Sequence, residues 1–212
     1  FTEYGEELFE ATRGEEFTSD GFPIYGNGGS EKDLGLLACD PLGWPRLYNQ
    51  NRGFEFVMLP DRVLQFFEYQ HTWRTIYTDG RELPEEEPPV MNFNGWNVGH
   101  WEGDTFVVEA AWFDDRSWIL EVEVEDPRES GGGAPHTSNM RIVERWSRPT
   151  YGTLESQLTI YDPEVYTEPW VGQVFTTKLA PGAELWDQPC VPSEEDFFNE
   201  NAYSAAGTSG SQ

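Results

Sequence analysis

The stretch Asn94-Gly-Trp-Asn-Val-Gly-His-Trp-Glu-Gly-Asp-Thr-Phe-Val-Val-Glu-Ala-Ala-Trp-Phe113 decides the fold. Two aromatic and β-branched runs flank Glu102-Gly103-Asp104. Gly103 supplies the positive φ that a tight turn needs, so the stretch predicts a β-hairpin. The same grammar recurs downstream. Residues 140–148 and 153–161 are strand-like and meet across Pro149-Thr-Tyr-Gly152. Upstream, strand-like runs cover 54–59, 63–69 and 72–77, with turns at 60–62 and at Asp79-Gly80. Residues 117–125 alternate: Trp118, Leu120, Val122 and Val124 on one face, Glu121, Glu123 and Glu125 on the other. A last strand is expected over 171–179. About eight or nine strands at short spacing predict an all-β antiparallel meander, closed as a lipocalin-like barrel or, second, packed as a sandwich.

Around this β domain, placed at 39–180, lie two irregular arms. Residues 1–38 are rich in Gly, Glu and Ser, with a short helix expected over 6–12 and a glycine-rich loop over 26–30. Residues 181–212 are acidic, then small and polar, and read as an extended C-terminal arm. Residues 82–94 form a Pro/Glu-rich loop.

The chain has 212 residues and a formal charge of −26, with 15% aromatic residues. That aromatic load allows a sizeable core, so the acidity does not imply disorder. Lys32 and Lys178 are the only lysines. Such a surface repels phosphate backbones and anionic lipid, which sets aside nucleic acid and anionic membranes as partners. A solvated acidic coat explains the charge, and a cationic partner or divalent cations are compatible with it. No apolar run approaches the length of a membrane span.

Cys39 and Cys190 are an even pair in no metal-binding spacing. They predict one disulfide in an oxidising compartment, with two separate thiols as the alternative. The sequence starts at Phe1, without Met, which reads as a mature N-terminus after signal cleavage or as a piece of a longer chain.

Several segments resemble a large family of secreted bacterial β-rich proteins of no established activity. They are Cys39-Asp-Pro-Leu-Gly-Trp-Pro-Arg46, Arg74-Thr-Ile-Tyr-Thr-Asp-Gly-Arg81, Gly99-His-Trp-Glu-Gly-Asp-Thr-Phe-Val-Val108, His136-Thr-Ser138, Glu144-Arg145 and Thr159-Ile-Tyr-Asp-Pro-Glu-Val-Tyr-Thr-Glu-Pro-Trp170. The Trp-Glu-Gly-Asp-Thr segment is the most specific of these. The resemblance spans about residues 39–170. It implies a signal peptide and a periplasmic or extracellular location, and it implies no reaction.

The candidate chemistry gathers at strand ends. His71, His100 and His136 are the only histidines. With Asp104 they are candidate ligands for a transition metal, although their spacings carry no motif and ordinary turn-packing histidines are the alternative. His100, Glu102, Asp104 and His136 are candidate catalytic groups at a barrel mouth. Glu102 and Asp104 would act as an acid–base pair or as oxygen ligands for Ca2+, the one cofactor considered. Arg74, Arg81 and Arg145, with Trp101, are candidate contacts for an anionic ligand, and pairing with nearby carboxylates is the alternative. The common hydrolase, NTPase, metalloprotease and dinucleotide motifs do not occur. The leading expectation is a non-catalytic extracytoplasmic protein that acts by binding other protein subunits. The rivals are a carrier of a small apolar ligand in a barrel and an enzyme at the mouth around His100, Asp104 and His136.

Overall fold

The computed structural model describes residues 1–24, 30–50, 52–186 and 190–191. The loop expected over 26–30 lies outside them except for Ser30. The C-terminal arm is described only at 181–186 and 190–191. Strands hold 36% of the chain and helices 10%, so the protein is all-β. Its main sheet runs in the order β1 (Phe54–Met58), β2 (Arg62–Phe67), β3 (Thr72–Tyr77), β4 (Trp96–Glu102), β5 (Thr105–Ala111), β8 (Arg141–Thr150) and β9 (Thr153–Tyr161). Strand β9 then carries both β10 (Trp170–Val171) and β11 (Phe175–Lys178) on its outer side. A two-stranded ribbon pairs β6 (Glu121–Val122) with β7 (Gly132–Gly133). Among the described residues, three helices precede the sheet: α1 (Glu3–Thr12), α2 (Leu34–Leu37) and α3 (Arg46–Asn49).

The hairpins read from sequence form in register. Glu102 pairs with Thr105 and Trp96 with Ala111. Ile142 pairs with Ile160 and Trp146 with Ser156. One expectation is corrected: the sheet is mixed, because β3 and β4 run parallel, with Ile76 opposite Asn97. The long segment after Tyr77 returns the chain to the start of β4, which a short hairpin turn would not do. The sheet also curls without closing, giving a half-barrel.

Its concave face explains the open seam. Inward residues alternate along each strand: Val63, Gln65 and Phe67 on β2, Arg74 and Ile76 on β3, Ile142, Glu144 and Trp146 on β8. Into this face folds the chain before β1, with Leu42, Trp44 and Leu47 buried. Trp44 packs against Tyr48, Phe67 and Trp146. Tyr48 in turn touches Phe54 of β1 and Phe175 of β11. One aromatic side chain thus stands between the two edges that a closed barrel would join.

The segment 117–125 keeps its predicted alternation in burial only from Leu120, since Ser117, Trp118 and Ile119 are all buried, and it pairs as a strand only at 121–122. Its partner is Gly132–Gly133, and the Trp118 ring lies so close over Gly133 that a Cβ there would overlap it. The last expected strand divides at Gly172 into β10 and β11.

The N-terminal segment is tied to the body. Thr2 caps α1 by accepting from the Gly5 amide at 2.9 Å, and its own amide donates to Val165. Cys39 and Cys190 are disulfide-bonded with Cα atoms 5.5 Å apart. The bond closes a span of 151 residues. In the chain-entropy model such a loop stabilises by up to ~5 kcal/mol.

Gly103 has φ +60°, at the first of the two turn residues, with no atom near where its Cβ would sit. Gly103→Val is therefore expected to destabilise through backbone strain alone, by about 1–3 kcal/mol. Gly152→Val, in the β8–β9 turn without a positive φ, should stay within ~0.5 kcal/mol of wild type. Urea unfolding of the two variants checks the difference.

Candidate functional site

The most strongly coupled polar group lies inside the half-barrel. The Arg74 guanidinium donates to both carboxylate oxygens of Glu144, at 2.6 and 2.7 Å, and both side chains are fully buried. Its Nε donates to Gln65 Oε1 and its Nη1 to Asn97 Oδ1. Trp146 Nε1 donates to Glu144, and the Trp44 ring lies 3.7 Å from the guanidinium carbon. Arg74 was a candidate contact for an anion; the structure commits it to an internal carboxylate. A second buried arginine, Arg46, is held by Asp33 and by Glu121 and lies over Trp118.

The three histidines do not converge. His136 is buried beside Phe113, just past the end of β5. His100 pairs with Val107 near the other end of that strand. From Val107 to the end of the strand at Ala111 the chain already covers about 13 Å. His71 lies in the β2–β3 turn with φ +51°. Among the described residues, no group of three or more His, Cys, Asp or Glu side chains is arranged to hold a metal ion.

His136 belongs to a network that the sequence did not suggest. Its Nδ1 faces the Thr137 carbonyl at 3.0 Å and its Nε2 faces Ser117 Oγ at 3.0 Å. Facing a carbonyl, Nδ1 carries the proton, and Nε2 shares the single Ser117 hydroxyl proton with the Asp114 carbonyl, which lies 3.0 Å from the same oxygen. Asp162 accepts from the Thr137 amide and hydroxyl. Burial pushes the imidazole below its ordinary pKa, against the opposing pull of the Thr137 carbonyl and of Asp162, Asp115 and Asp114. Nothing local in sequence links residues 117, 136 and 162.

His100, Glu102 and Arg145 form a smaller exposed cluster on the convex side, while Trp101 falls on the opposite face at the strand end. Glu102 accepts from Arg145 at 2.8 Å and lies 3.4 Å from His100 Nε2. Arg145 first and His100 second hold the Glu102 carboxyl below its usual range. Trp101 is 58% exposed and leans on Phe106. Asp104 is an exposed turn residue. Arg81 grips Asp79 with its backbone and side chain and stacks on Tyr77 at 3.7 Å, and this contact draws the Asp79 carboxyl down to about 2. These groups sit on an open surface, and no described cleft encloses them.

Two features missed in sequence are more suggestive. The convex face of β1–β3 carries an apolar group centred on the cross-strand pair Phe66–Trp73, with Leu64 and Val57 beside it. Trp73 is 58% exposed. The alternation that marked these strands identifies the outward set only once the inward set is known. The second feature is a cleft of about 180 Å³ at the open seam, floored by Leu47, Tyr48, Phe54, Phe67 and Phe175. The interior itself is filled by Trp44 and its neighbours, which leaves the seam as the described opening toward the core.

Two outcomes follow from these networks. Arg74→Met strands the Glu144 charge and is expected to cost about 3–5 kcal/mol. Arg74→Met with Glu144→Gln should cost less than the two single changes together, by ~2 kcal/mol, in a double-mutant cycle read by urea unfolding. For His136, the folded pKa lies below the unfolded value of about 6.5. The associated stability is complete above that value and is lost as pH falls below it. Wild type should therefore lose stability between about pH 7 and pH 5 more steeply than His136→Gln, by up to ~1.4 kcal/mol per pH unit. Parallel denaturation curves at several pH values measure the difference.

Comparison with protein-family models, with curated proteins and with solved structures finds no match for this chain.

Proposed function

We propose that this protein acts by binding, as a non-catalytic accessory subunit of an assembly outside the cytoplasm, and that it meets a protein partner through the convex face of β1–β3. The observation that carries this reading is the Phe66–Trp73 pair, an aromatic patch with Trp73 exposed on a sheet face that no described helix covers. Exposed aromatic groups ringed by polar residues are what interface centres use, because one large planar side chain loses little conformational entropy when it is desolvated. The disulfide supports an oxidising compartment, as does the resemblance to secreted β-rich proteins. The charge of −26 supports a partner with a basic rim, since like charge repels other acidic surfaces.

Pull-down with the tagged full chain from its own cells tests this, with Trp73→Glu in parallel. The expected result is a discrete basic partner, released by about 0.5 M NaCl and captured at least ~10-fold less by Trp73→Glu. The variant should melt within a few degrees of wild type, because the side chain is exposed. Undiminished capture by Trp73→Glu would overturn the assignment of this face.

A further inference from the structure

The geometry points to a small-molecule site at the seam of the half-barrel, taking a neutral single-ring aromatic compound with one hydrogen-bonding group. This site is independent of the convex face. Its floor is rigid because four elements build it: α3 gives Leu47 and Tyr48, β1 gives Phe54, β2 gives Phe67, and β11 gives Phe175. Tyr48 is fixed edge-on between Phe54 and Phe175, at centroid distances of 5.6 and 5.4 Å, and its oxygen accepts from Ser156 Oγ. The phenol cannot swing out to fill the opening without giving up these contacts.

Size and polarity narrow the occupant. The volume of about 180 Å³ is close to that of apolar cavities that take up a benzene ring, which sets the scale of a small aromatic molecule. Four aromatic side chains, Tyr48, Phe54, Phe67 and Phe175, line the cleft and suit a ring stacked or edge-on among them. Polar residues complete the lining: Gln50, Arg52, Thr176 and Thr177. Arg52 faces Glu68 at 3.9 Å, so its charge is already shared with a carboxylate. With a net charge of −26 around it, the site disfavours an anion. An aromatic alcohol or amide satisfies both the floor and the polar lining.

Benzyl alcohol is the probe, titrated into full-length protein with labelled Leu and Thr methyl groups. Saturable one-to-one binding in the ~0.1–10 mM range is expected, as befits eight heavy atoms. Ring protons should show intermolecular NOEs to the Leu47 and Thr177 methyls. Benzoate should bind at least several-fold more weakly. Thr177→Phe, which places a ring in the cleft, should weaken binding more than ~10-fold, and Gln50→Ala should weaken it a few-fold. If Thr177→Phe does not fold, the wild-type NOEs still decide the location. Absence of saturable binding, or NOEs confined to other methyls, would overturn the site. Benzoate binding as tight as the alcohol would overturn the neutral class.

Discussion

Arg74 and Glu144 stand on strands 70 residues apart in sequence, and their buried pairing constrains everything around it. Two charges removed from water are tolerated when their own protons and lone pairs find partners, as here even though Gln65 Nε2 finds none. Here that demand recruits Gln65, Asn97 and the Trp146 indole, so β2, β3, β4 and β8 must all be in register at once. A slip of one residue in any of them would turn its member of the network to the convex side. The pair therefore acts as a register lock across the sheet. Its net contribution to stability against a well-packed apolar alternative is a separate matter, and such alternatives are often neutral or better.

The same pair accounts for the half-open shape. Trp44 lies face-on over the guanidinium, so the chain before β1 has to enter the concave side. Once it is there, Tyr48 follows into the space between β1 and β11. The two edges cannot pair across an inserted aromatic ring. An interior lined with aromatics is thus both filled, at Trp44, and left accessible, at the seam. A cavity large enough for a lipocalin-type ligand and an internal tryptophan plug are mutually exclusive uses of one concave face.

Local chemistry was legible in the sequence and long-range pairing was not. Gly103 announced its hairpin because a two-residue turn needs positive φ at a fixed place, and Cys39 and Cys190 had only each other. The alternation holds over 120–125 but not over the three buried residues before it, and alternation reports burial and not strand pairing, since Gly132–Gly133 offers only two partner residues. The parallel neighbour of β3 lay beyond a loop whose composition says nothing of direction. Arg74 looked like a ligand contact because its carboxylate partner is 70 positions away. His136 looked like a mouth residue because its burial depends on Phe113 and Ser117, which no spacing rule connects to it.

The arginines show how the charge is disposed. Arg74 and Arg46 are buried with carboxylates and contribute nothing to the surface field. Three more sit in the repeated pattern Asp-x-Arg: Asp79 with Arg81, Asp114 with Arg116, Asp126 with Arg128. In each, the arginine amide and guanidinium both donate to the aspartate two residues earlier, closing a local turn. Such exposed pairs contribute little stability, typically below ~1 kcal/mol. They do neutralise the few cations the chain has. The surplus carboxylates are left without positive neighbours over much of the surface, which raises solubility and repels acidic surfaces. Against that background an apolar sheet face is the part of the molecule where desolvation is least costly, so that is where association has the most to gain.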